Sequence, residues 1–288
     1  MNPYPAAERR SYGIPLPSGC TITLGPRTLV MGIVNVTPDS FAGGAPDVDE
    51  AVALALSMEA AGADIIDIGG ESTRPGAEAV PEAQELARVM PVIERLRGRL
   101  RIPLSIDTYK AGVAETAIAS GACIVNDISG LGYDQSLGGV VARTGAGLVL
   151  MHTRGRSRQM YHEAVYGDVV GDVVAELGQA IDRAVASGVD RGRLIIDPGL
   201  GFAKRPDQTY ALLAQLPRLA ALDRPLLVGP SRKSFLTEAL GARPAVDRDW
   251  GTAAAVSTAV WLGAHIVRVH NVEAIVQVVR VTDAIRQH

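Results

Sequence analysis

Eight short apolar segments, each ended by a polar side chain, constrain the fold of this 288-residue chain more than any other feature. Between neighbouring segments there are enough residues for one helix. Segments that are apolar on both sides are typical of parallel strands covered by helices. The segments and the polar residues after them are Val30–Val34 with Asn35, Ile65-Ile66 with Asp67, Pro103–Ile106 with Asp107, Cys123–Val125 with Asn126, Leu148–Leu150 with Met151 and His152, Leu194–Ile196 with Asp197, Leu226–Val228 with Lys233, and Ile266-Val267 with Arg268 and His270.

Eight alternating strand and helix units predict an α/β fold, a (β/α)8 TIM barrel. A doubly wound sheet is the alternative, but its G-x-G-x-x-G fingerprint fails, because Gly199-Leu200-Gly201 is followed by Phe202-Ala203-Lys204. Among the helices between the strands, one is predicted near Asp207–Ala221.

Neither an internal repeat nor a linker in the sequence indicates a second domain. We therefore expect an irregular N-terminal lead-in over residues 1–18 and one barrel domain over residues 19–288. Cys20–Leu24 and Thr28–Val34 are separated by a Gly-Pro-Arg turn and predict a short N-terminal β-hairpin.

Charge and cysteine content exclude several classes of protein. The net charge of −3 and the lack of a dense basic run argue against a nucleic-acid partner. Cys20 and Cys123 are too few for a disulfide framework. The Pro-rich stretch Met1–Ser18 is unlike a signal peptide, and no apolar run approaches the roughly 20 residues that a membrane span needs. The sequence therefore predicts a cytoplasmic protein without a membrane partner.

In barrels of this kind the carboxyl ends of the strands meet at one mouth. Asp and Asn are also favoured helix caps, so any one of these residues has a purely structural alternative. Capping explains neither Lys233 nor the pair Arg268 and His270. The polar residues expected at the mouth are Asn35, Asp67, Asp107, Asn126, Asp197, Lys233, Arg268 and His270.

Several carboxylates near one mouth are costly to bury unless a partner pairs with them. A ligand with several N–H donors would pair well, through charge-assisted and bidentate bonds. Arg268, His270 and the basic loop with Arg154, Arg156 and Arg158 are suited to phosphate. Together these groups predict a heterocyclic ligand that carries a phosphate.

In these segments the chain resembles the dihydropteroate synthases and the wider group of pterin-binding barrels. The resemblance covers about residues 20–286 and keeps the family's order of motifs. The motifs are Asn35–Phe41, Asp67–Gly76, Ser105–Thr108, Asn126–Ile128, Asp197–Phe202, Ser231–Ser234 and Arg268–His270.

The resemblance implies condensation of (7,8-dihydropterin-6-yl)methyl diphosphate with 4-aminobenzoate to 7,8-dihydropteroate and diphosphate, a step of tetrahydrofolate biosynthesis. It implies catalytic roles for Asp107, Asp197, Lys233, Arg268 and His270. The substrate-binding residues that it implies are Asp67, Thr73, Arg74, Pro75, Asp107, Asn126, Met151, Asp197, Phe202, Lys233, Ser234, Arg268 and His270.

The resemblance also implies a Mg²⁺ ion at Asn35, beside the diphosphate, and a homodimer. Apolar residues of the last two helices, including Ala253–Val256 and Val276–Val281, fit a dimer contact. The sequence departs from the family after Phe41, where Ala42-Gly43-Gly44 lacks the usual acidic residue.

Two other functions are compatible with a pterin-binding barrel. A methyltransferase domain would share the acidic pocket but would not require Ser231–Ser234 or Thr73-Arg74-Pro75. A non-catalytic paralogue would keep the binding residues without turnover. Formation of pteroate from the two substrates distinguishes these alternatives.

Overall fold

The computed structural model describes residues 6–17, 19–37, 47–73, 76–156, 160–162 and 164–288. Ten strands and nine α-helices occur in these ranges. In chain order they are β1 (Tyr12–Pro15), β2 (Thr21–Leu24), β3 (Leu29–Asn35), α1 (Val48–Ala60), β4 (Ile65–Gly69), α2 (Glu82–Leu96), β5 (Leu104–Asp107), α3 (Ala111–Ala119), β6 (Ile124–Asp127), α4 (Ser136–Thr144), β7 (Gly147–Met151), α5 (Val169–Ala186), β8 (Leu194–Asp197), α6 (Pro206–Ala214), β9 (Leu227–Val228), α7 (Thr237–Leu240), α8 (Asp249–Trp261), β10 (Ile266–Val269) and α9 (Val272–Arg286).

Strands β3 to β10 form one parallel sheet that closes on itself. Its order is β8-β7-β6-β5-β4-β3-β10-β9, so the last strand in the chain pairs with the first barrel strand. A parallel bridge between Ile196 and Leu226 joins β8 to β9 and completes the circle. The predicted (β/α)8 TIM barrel is confirmed.

Side chains alternate along each barrel strand between the helices and the barrel interior. Residues that face the helices are apolar, for example Ile66, Ile68 and Val125. The interior is apolar in its lower half, which contains Met31, Ile65, Ile124, Val149, Ile195, Leu227 and Ile266. Two residues farther along several of these strands the interior side chain becomes polar. The structure therefore places a polar layer directly above an apolar floor.

The N-terminal hairpin is confirmed, but its partners differ from those that the sequence predicted. β1 pairs antiparallel with β2, with Ile14 opposite Ile22, whereas β3 pairs with β4 and β10 in the barrel. β1 thus lies within the stretch that we expected to be irregular. β3 is buried along almost its whole length, as a central barrel strand must be, whereas β2 alternates between exposed and buried residues.

The buried face of the hairpin covers the lower end of the barrel. Ile14, Leu16, Ile22 and Leu24 pack with the apolar floor. The bottom of the barrel is therefore covered with apolar side chains, and the strand ends at the opposite mouth carry the polar residues.

The sequence predicts one helix over Asp207–Ala221, and the second half of this prediction is wrong. α6 ends at Ala214 and is followed by a 3-10 helix, Leu216–Leu222. Pro217 explains the break, because proline has no N–H to donate and its ring collides with the carbonyl of the preceding turn. Of the helices in the described residues, none is long and apolar enough to cross a membrane.

A buried ion pair connects the N-terminal segment to the last helix. Asp283 on α9 accepts hydrogen bonds from the backbone N–H of Thr28 at 2.6 Å and from Arg9 Nη2 at 3.0 Å. The side chains of Arg9 and Asp283 are 6% and 10% exposed. Loss of one partner from such a pair leaves a buried charge without compensation.

We expect Asp283→Ala to lower the free energy of unfolding by about 3 kcal/mol, because it removes the counter-charge of the buried Arg9 and the acceptor of the Thr28 N–H. Urea unfolding followed by circular dichroism measures this. Glu115→Ala is the matched control, since Glu115 forms a largely exposed ion pair with Arg143. We expect that control to change stability by less than about 0.5 kcal/mol. Equal effects in the two variants would contradict the structural role of Asp283.

Candidate active site

The barrel mouth brings together polar side chains from the ends of separate strands. Four of the interior residues of the polar layer follow those of the apolar floor by two positions, as Asp67 follows Ile65 on β4, and the fifth, Asp107, follows the buried Ser105 on β5. The alternation of a β-strand therefore directs all five into the barrel near its mouth. The members of this layer are Asp67, Asp107, Asn126, Asp197 and Arg268.

Asp67 and Asp107 share one guanidinium. Arg268 donates from Nε to Asp67 Oδ2 and from Nη2 to Asp107 Oδ2, both at 2.6 Å. Asn126 Nδ2 also donates to Asp67 Oδ2, at 2.8 Å. Asp67 is fully buried, whereas the Asp107 side chain is 11% exposed. One carboxylate is therefore sealed beneath the site and the other borders the mouth.

The bond to Asp67 also fixes the direction of the Asn126 amide. Since a carboxylate only accepts, the nitrogen of Asn126 must face Asp67 and its oxygen must point elsewhere. Asp67 Oδ1 and Ser105 Oγ are buried polar atoms without a hydrogen-bond partner among the described residues. They lie on adjacent strands, because Asp67 and Ser105 are register partners.

Burial raises the pKa of the Asp107 carboxyl to about 7, although Arg268 opposes the rise. The nearby charge of Asp67 adds to the increase. Burial also raises the pKa of Asp197, here against the charges of Lys233 and Arg268. Both carboxyls are thus poised to gain from a ligand that brings hydrogen-bond donors or positive charge.

The loop after β8 joins Asp197 to Lys233. Asp197 Oδ1 accepts the N–H of Gly199 at 2.7 Å, and the carbonyl of Leu200 accepts a hydrogen bond from Lys233 Nζ at 2.6 Å. Burial lowers the pKa of Lys233 to about 8, against the charge of Asp197. Gly229 lies between Lys233 and Arg268. A Cβ at this position would be 3.7 Å from Arg268 Cβ and 3.9 Å from Lys233 Nζ. Lys233 and Arg268 are therefore neighbours across a position without a side chain.

An apolar and aromatic wall lies beside these charges. Met151 at the end of β7 packs with Tyr109 and Ile128, and Phe202 is packed against the same group. Lys233 Nζ lies 4.4 Å from the centre of the Phe202 ring. A flat ligand would meet charged groups at its edge and apolar groups at its faces.

His270 and Ser231 form the corner after β10. The backbone N–H of His270 donates to Ser231 Oγ at 3.1 Å, and this hydroxyl lies 2.9 Å from His270 Nδ1. Nearby, Arg232 Nε donates to Asp249 at 2.7 Å. The Ser231–Ser234 segment is therefore held against both β10 and α8.

The other residues predicted from sequence are distributed around the mouth. Asn35 ends β3 and lies near Asp107 across Gly69, where a Cβ would be 3.6 Å from Asn35 Oδ1 and from Asp107 Oδ2. Thr73 lies in the loop after β4, and Ser234 Oγ is 3.3 Å from Tyr161 Oη. The remaining predicted residues of the loops, Arg74, Pro75 and Arg158, lie outside the described residues, as does the stretch after Phe41.

Two arginines that the sequence suggested for phosphate have partners of their own. Arg154 pairs with Glu176 and with Asp172. The guanidinium of Arg156 lies 4.5 Å from the centre of the Tyr133 ring. Arg154 is therefore part of an internal ion network.

Sequence reasoning named His152 after Leu148–Leu150 but missed the buried set that it forms with Lys204 and Glu176 behind the loop after β8. Lys204 and His152 are 1% and 4% exposed, and His152 bonds to Glu176. The basic residues number 28, and only three of them are lysines: Lys110, Lys204 and Lys233. That scarcity is the signal that could have drawn attention to Lys204.

Asn35, the metal ligand predicted from sequence, brings no charge to a bound ion. Among the described residues, no group of three or more His, Cys, Asp or Glu side chains could hold a metal ion. Asn35 supplies one neutral oxygen. Mg²⁺ in proteins commonly keeps several waters and is bound largely by substrate phosphates. The residues present fit an ion that arrives with a phosphate-bearing substrate, and they do not form an all-protein cage.

Comparisons with known proteins agree with this geometry. A family model described as pterin binding enzyme matches residues 31–270. A dihydropteroate synthase from Synechocystis sp. is 47% identical over 274 residues, which cover 94% of this chain and 95% of that protein. The Bacillus subtilis dihydropteroate synthase is 44% identical, with 90% of this chain and 88% of that protein covered.

Solved structures show the same fold with bound ligands. The Xanthomonas albilineans dihydropteroate synthase with 4-aminobenzoic acid aligns with a TM-score of 0.89 at 42% identity, over 97% of this chain and 100% of that one. The Burkholderia cenocepacia dihydropteroate synthase complexed with 7,8-dihydropteroate gives a TM-score of 0.86 at 43% identity, over 96% of this chain and 97% of that one. The chain therefore belongs to the dihydropteroate synthase family of pterin-binding enzymes.

Proposed function

We propose that the chain condenses (7,8-dihydropterin-6-yl)methyl diphosphate with 4-aminobenzoate to 7,8-dihydropteroate and diphosphate. The observation that carries the proposal is the buried set Asp107, Asn126 and Asp197 beside Lys233 and Arg268. This set offers acceptors to a ligand rich in N–H donors. The ligands of the Xanthomonas and Burkholderia relatives, 4-aminobenzoic acid and 7,8-dihydropteroate, are a substrate and the product of this reaction.

Pterin recognition is assigned to the carboxylates and the Asn126 amide. Asp107 and Asp197 accept hydrogen bonds from the N–H edge of the ring, and Oδ1 of Asn126 accepts another. Lys233 donates to a ring acceptor, and Met151 packs beside the ring. An ionised carboxylate with two N–H partners forms a strong charge-assisted pair.

The reaction breaks the bond between the pterin methylene and the diphosphate oxygen. The amine nitrogen of 4-aminobenzoate forms the new bond to that carbon and loses a proton, and diphosphate leaves with the electron pair. Positive charge develops on the pterin during this step. Asp107 and Asp197 favour that charge by the preorganised electrostatics that usually dominate catalysis.

Arg268 and His270 are assigned to the leaving diphosphate. Arg268 uses Nε and Nη2 for the two carboxylates, which leaves Nη1 without a hydrogen-bond partner in the described part of the chain and available to an anion. His270 lies beside Ser231 at the same side of the mouth. Mg²⁺, held by Asn35 together with substrate phosphates, would supply further positive charge to the leaving group.

The aminobenzoate is assigned to the space between Phe202, Lys233 and Ser234, and Thr73, Arg74 and Pro75 are assigned to substrate binding with them. Phe202 and the alkyl part of Lys233 contact the aryl ring, and Ser234 is near its carboxylate. The contact of Lys233 with the Phe202 ring supports this assignment. Asp67 acts beneath the site, through Arg268 and Asn126.

We also propose that residues 19–288 form one domain and that the chain is a cytoplasmic homodimer through α8 and α9. Exposed apolar side chains on these helices support the dimer: Trp250 is 88%, Val281 61% and Ile285 56% exposed. Aromatic and aliphatic residues of this kind are enriched in interfaces between subunits.

The first test supplies purified protein with Mg²⁺, the pterin diphosphate and labelled 4-aminobenzoate. We expect labelled dihydropteroate and one equivalent of diphosphate, detected by chromatography. Omission of the pterin diphosphate is the control. Pterin binding without product would favour the non-catalytic paralogue, and transfer of a methyl group in its place would favour the methyltransferase.

Asp197→Asn separates charge from hydrogen bonding at the pterin. The amide keeps one acceptor but cannot stabilise positive charge, so we expect kcat to fall by about 10²- to 10³-fold. Binding of the pterin, measured by calorimetry, should weaken much less. Asp190→Asn is the matched control, because Asp190 is exposed at the start of a 3-10 helix before β8. Normal turnover by Asp197→Asn with intact binding would show that the charge assignment is wrong.

Pterin affinity should depend on pH through Asp107. Its pKa is raised to about 7, so the carboxyl is increasingly protonated below that pH and loses an acceptor for the ring N–H. We expect the Kd of 6-hydroxymethylpterin to rise as pH falls from 7.5 to 5.5, approaching about tenfold per pH unit. This probe carries no phosphate, so phosphate ionisation does not contribute.

Asp107→Asn provides the comparison for this pH series. The variant should bind the probe more weakly at pH 7.5, and its Kd should lack the step near pH 7. A step of equal size in both proteins would assign the pH dependence to another group.

A further inference from the structure

Lys204 is a fully buried lysine that none of the assignments above uses. It is 1% exposed and follows Ala203 behind the loop after β8. Its Nζ donates to the carbonyl of Phe202 at 2.9 Å and to that of Gly199 at 3.1 Å. It also lies 2.8 Å from His152 Nδ1. With the carbonyl of His152 at 3.3 Å, Nζ has four acceptors within hydrogen-bond distance, and burial lowers the pKa of Lys204 well below its ordinary value.

The contacts with Glu176 and Lys204 set the tautomer of His152. Because the ionised Glu176 carboxylate, whose pKa is lowered by its bonds to His152 and Arg154, can only accept, the proton of the neutral ring resides on Nε2, and Nδ1 accepts from Lys204. Nε2 then donates to Glu176 Oε2 at 2.9 Å. Glu176 is held in turn by Arg154. A single directed chain of hydrogen bonds therefore connects Lys204 to α5.

The loop that Lys204 holds has a backbone conformation that needs support. Gly199, Gly201 and Ala203 have positive φ angles of 65°, 75° and 47°. A Cβ at Gly199 would lie 2.0 Å from the carbonyl oxygen of His152, so the loop is pressed against the end of β7. Non-glycine residues such as Ala203 adopt positive φ at a cost that neighbouring contacts must offset.

The same loop determines the placement of three residues of the mouth. Gly199 donates its N–H to Asp197, Leu200 accepts from Lys233, and Phe202 lies under Lys233 Nζ. A displacement of this loop would therefore move a carboxylate, a cation and an aromatic ring together.

A lysine suits this place better than an arginine. The chain has 28 basic residues and only three lysines, so arginine is its usual cation. An ammonium is a compact point charge that can reach several carbonyls inside a tight turn, whereas guanidinium is a broad planar fork.

We propose that Lys204, braced by His152 and Glu176, is a positioning residue that sets the Gly199–Phe202 loop for the condensation. The chain of contacts from Lys204 through the loop to Asp197, Lys233 and Phe202 carries this inference. It rests on the proposed function, because its effect is measured on the two substrates.

The test compares Lys204→Met with Arg193→Met. Methionine fills the space of the lysine but donates nothing to the carbonyls. Arg193 also binds two backbone carbonyls, those of Pro15 and Gly145, but it does so at the opposite end of the barrel. We expect kcat/KM of Lys204→Met to fall by about 10²-fold for both substrates, because small misplacements of reacting groups have effects of that size. Arg193→Met should stay within about twofold while losing stability.

A kcat/KM of Lys204→Met within about twofold of the wild type would overturn the inference and leave Lys204 as a residue of stability alone. If Lys204→Met does not fold, His152→Gln tests the inference in its place, and His265→Gln is the control for that variant. His265 is a second buried histidine, bonded to Leu226 and Arg10 at the lower end of the barrel. We expect about a tenfold loss of kcat/KM for His152→Gln only, and equal activity of both variants would overturn the inference.

Nitrogen-15 NMR of the histidines provides a readout that simple loss of stability does not change. Burial, together with the charge of Lys204, lowers the pKa of His152 to about 4, so the wild type should show a neutral Nε2–H ring at pH 6. In Lys204→Met the pKa of His152 should rise, and an unchanged titration would contradict the brace. A wild-type protein that makes no dihydropteroate would overturn the proposed function and this inference together.

Discussion

The burial of carboxylates above an apolar floor is the constraint on which the rest of the site depends. Asp67, Asp107 and Asp197 lie in a layer whose underside is closed by aliphatic side chains. Buried charges must be paired. Arg268 and Lys233 provide two cations for three carboxylates, and burial raises the pKa values of Asp107 and Asp197 in spite of these cations. A pterin has N–H donors and develops positive charge in the reaction, so it would supply the positive charge that the site lacks.

Much of this arrangement could be predicted from the sequence because it follows from local periodicity. Interior positions recur every second residue, so Ile65 and Asp67 face the same way, as do Ile195 and Asp197. A run of apolar residues that ends in a polar one therefore indicates both a strand and its functional end. The barrel and the location of the mouth follow from eight such runs, without any knowledge of side-chain contacts.

The features that the sequence did not reveal all depend on contacts between distant segments. Arg268 was expected on the anion side, but barrel closure puts β10 beside β3 and brings Arg268 against Asp67, 201 residues away. The sequence predicted that β3 pairs with β2 in the hairpin, whereas β1 does so. By sequence alone both strands are plausible neighbours of β2. Lys204 was overlooked because a lysine in a loop is usually exposed, and only the fold shows that four acceptors surround it.

The two carboxylates that share Arg268 illustrate how binding and support are divided. Asp67 is sealed, and its bonds to Arg268 and Asn126 orient a cation and an amide. Asp107 is the more exposed of the two, so it and the oxygen of Asn126 are the groups that a ligand can reach. Lys204 supports Asp197 in a similar way. It holds the loop after β8, and Gly199 of this loop donates its N–H to Asp197. In the proposed assignment, each half of the mouth thus has a residue that fixes the geometry of a neighbouring group for the ligand, and the rigid strands of the barrel would hold these acceptors in place before substrate binds.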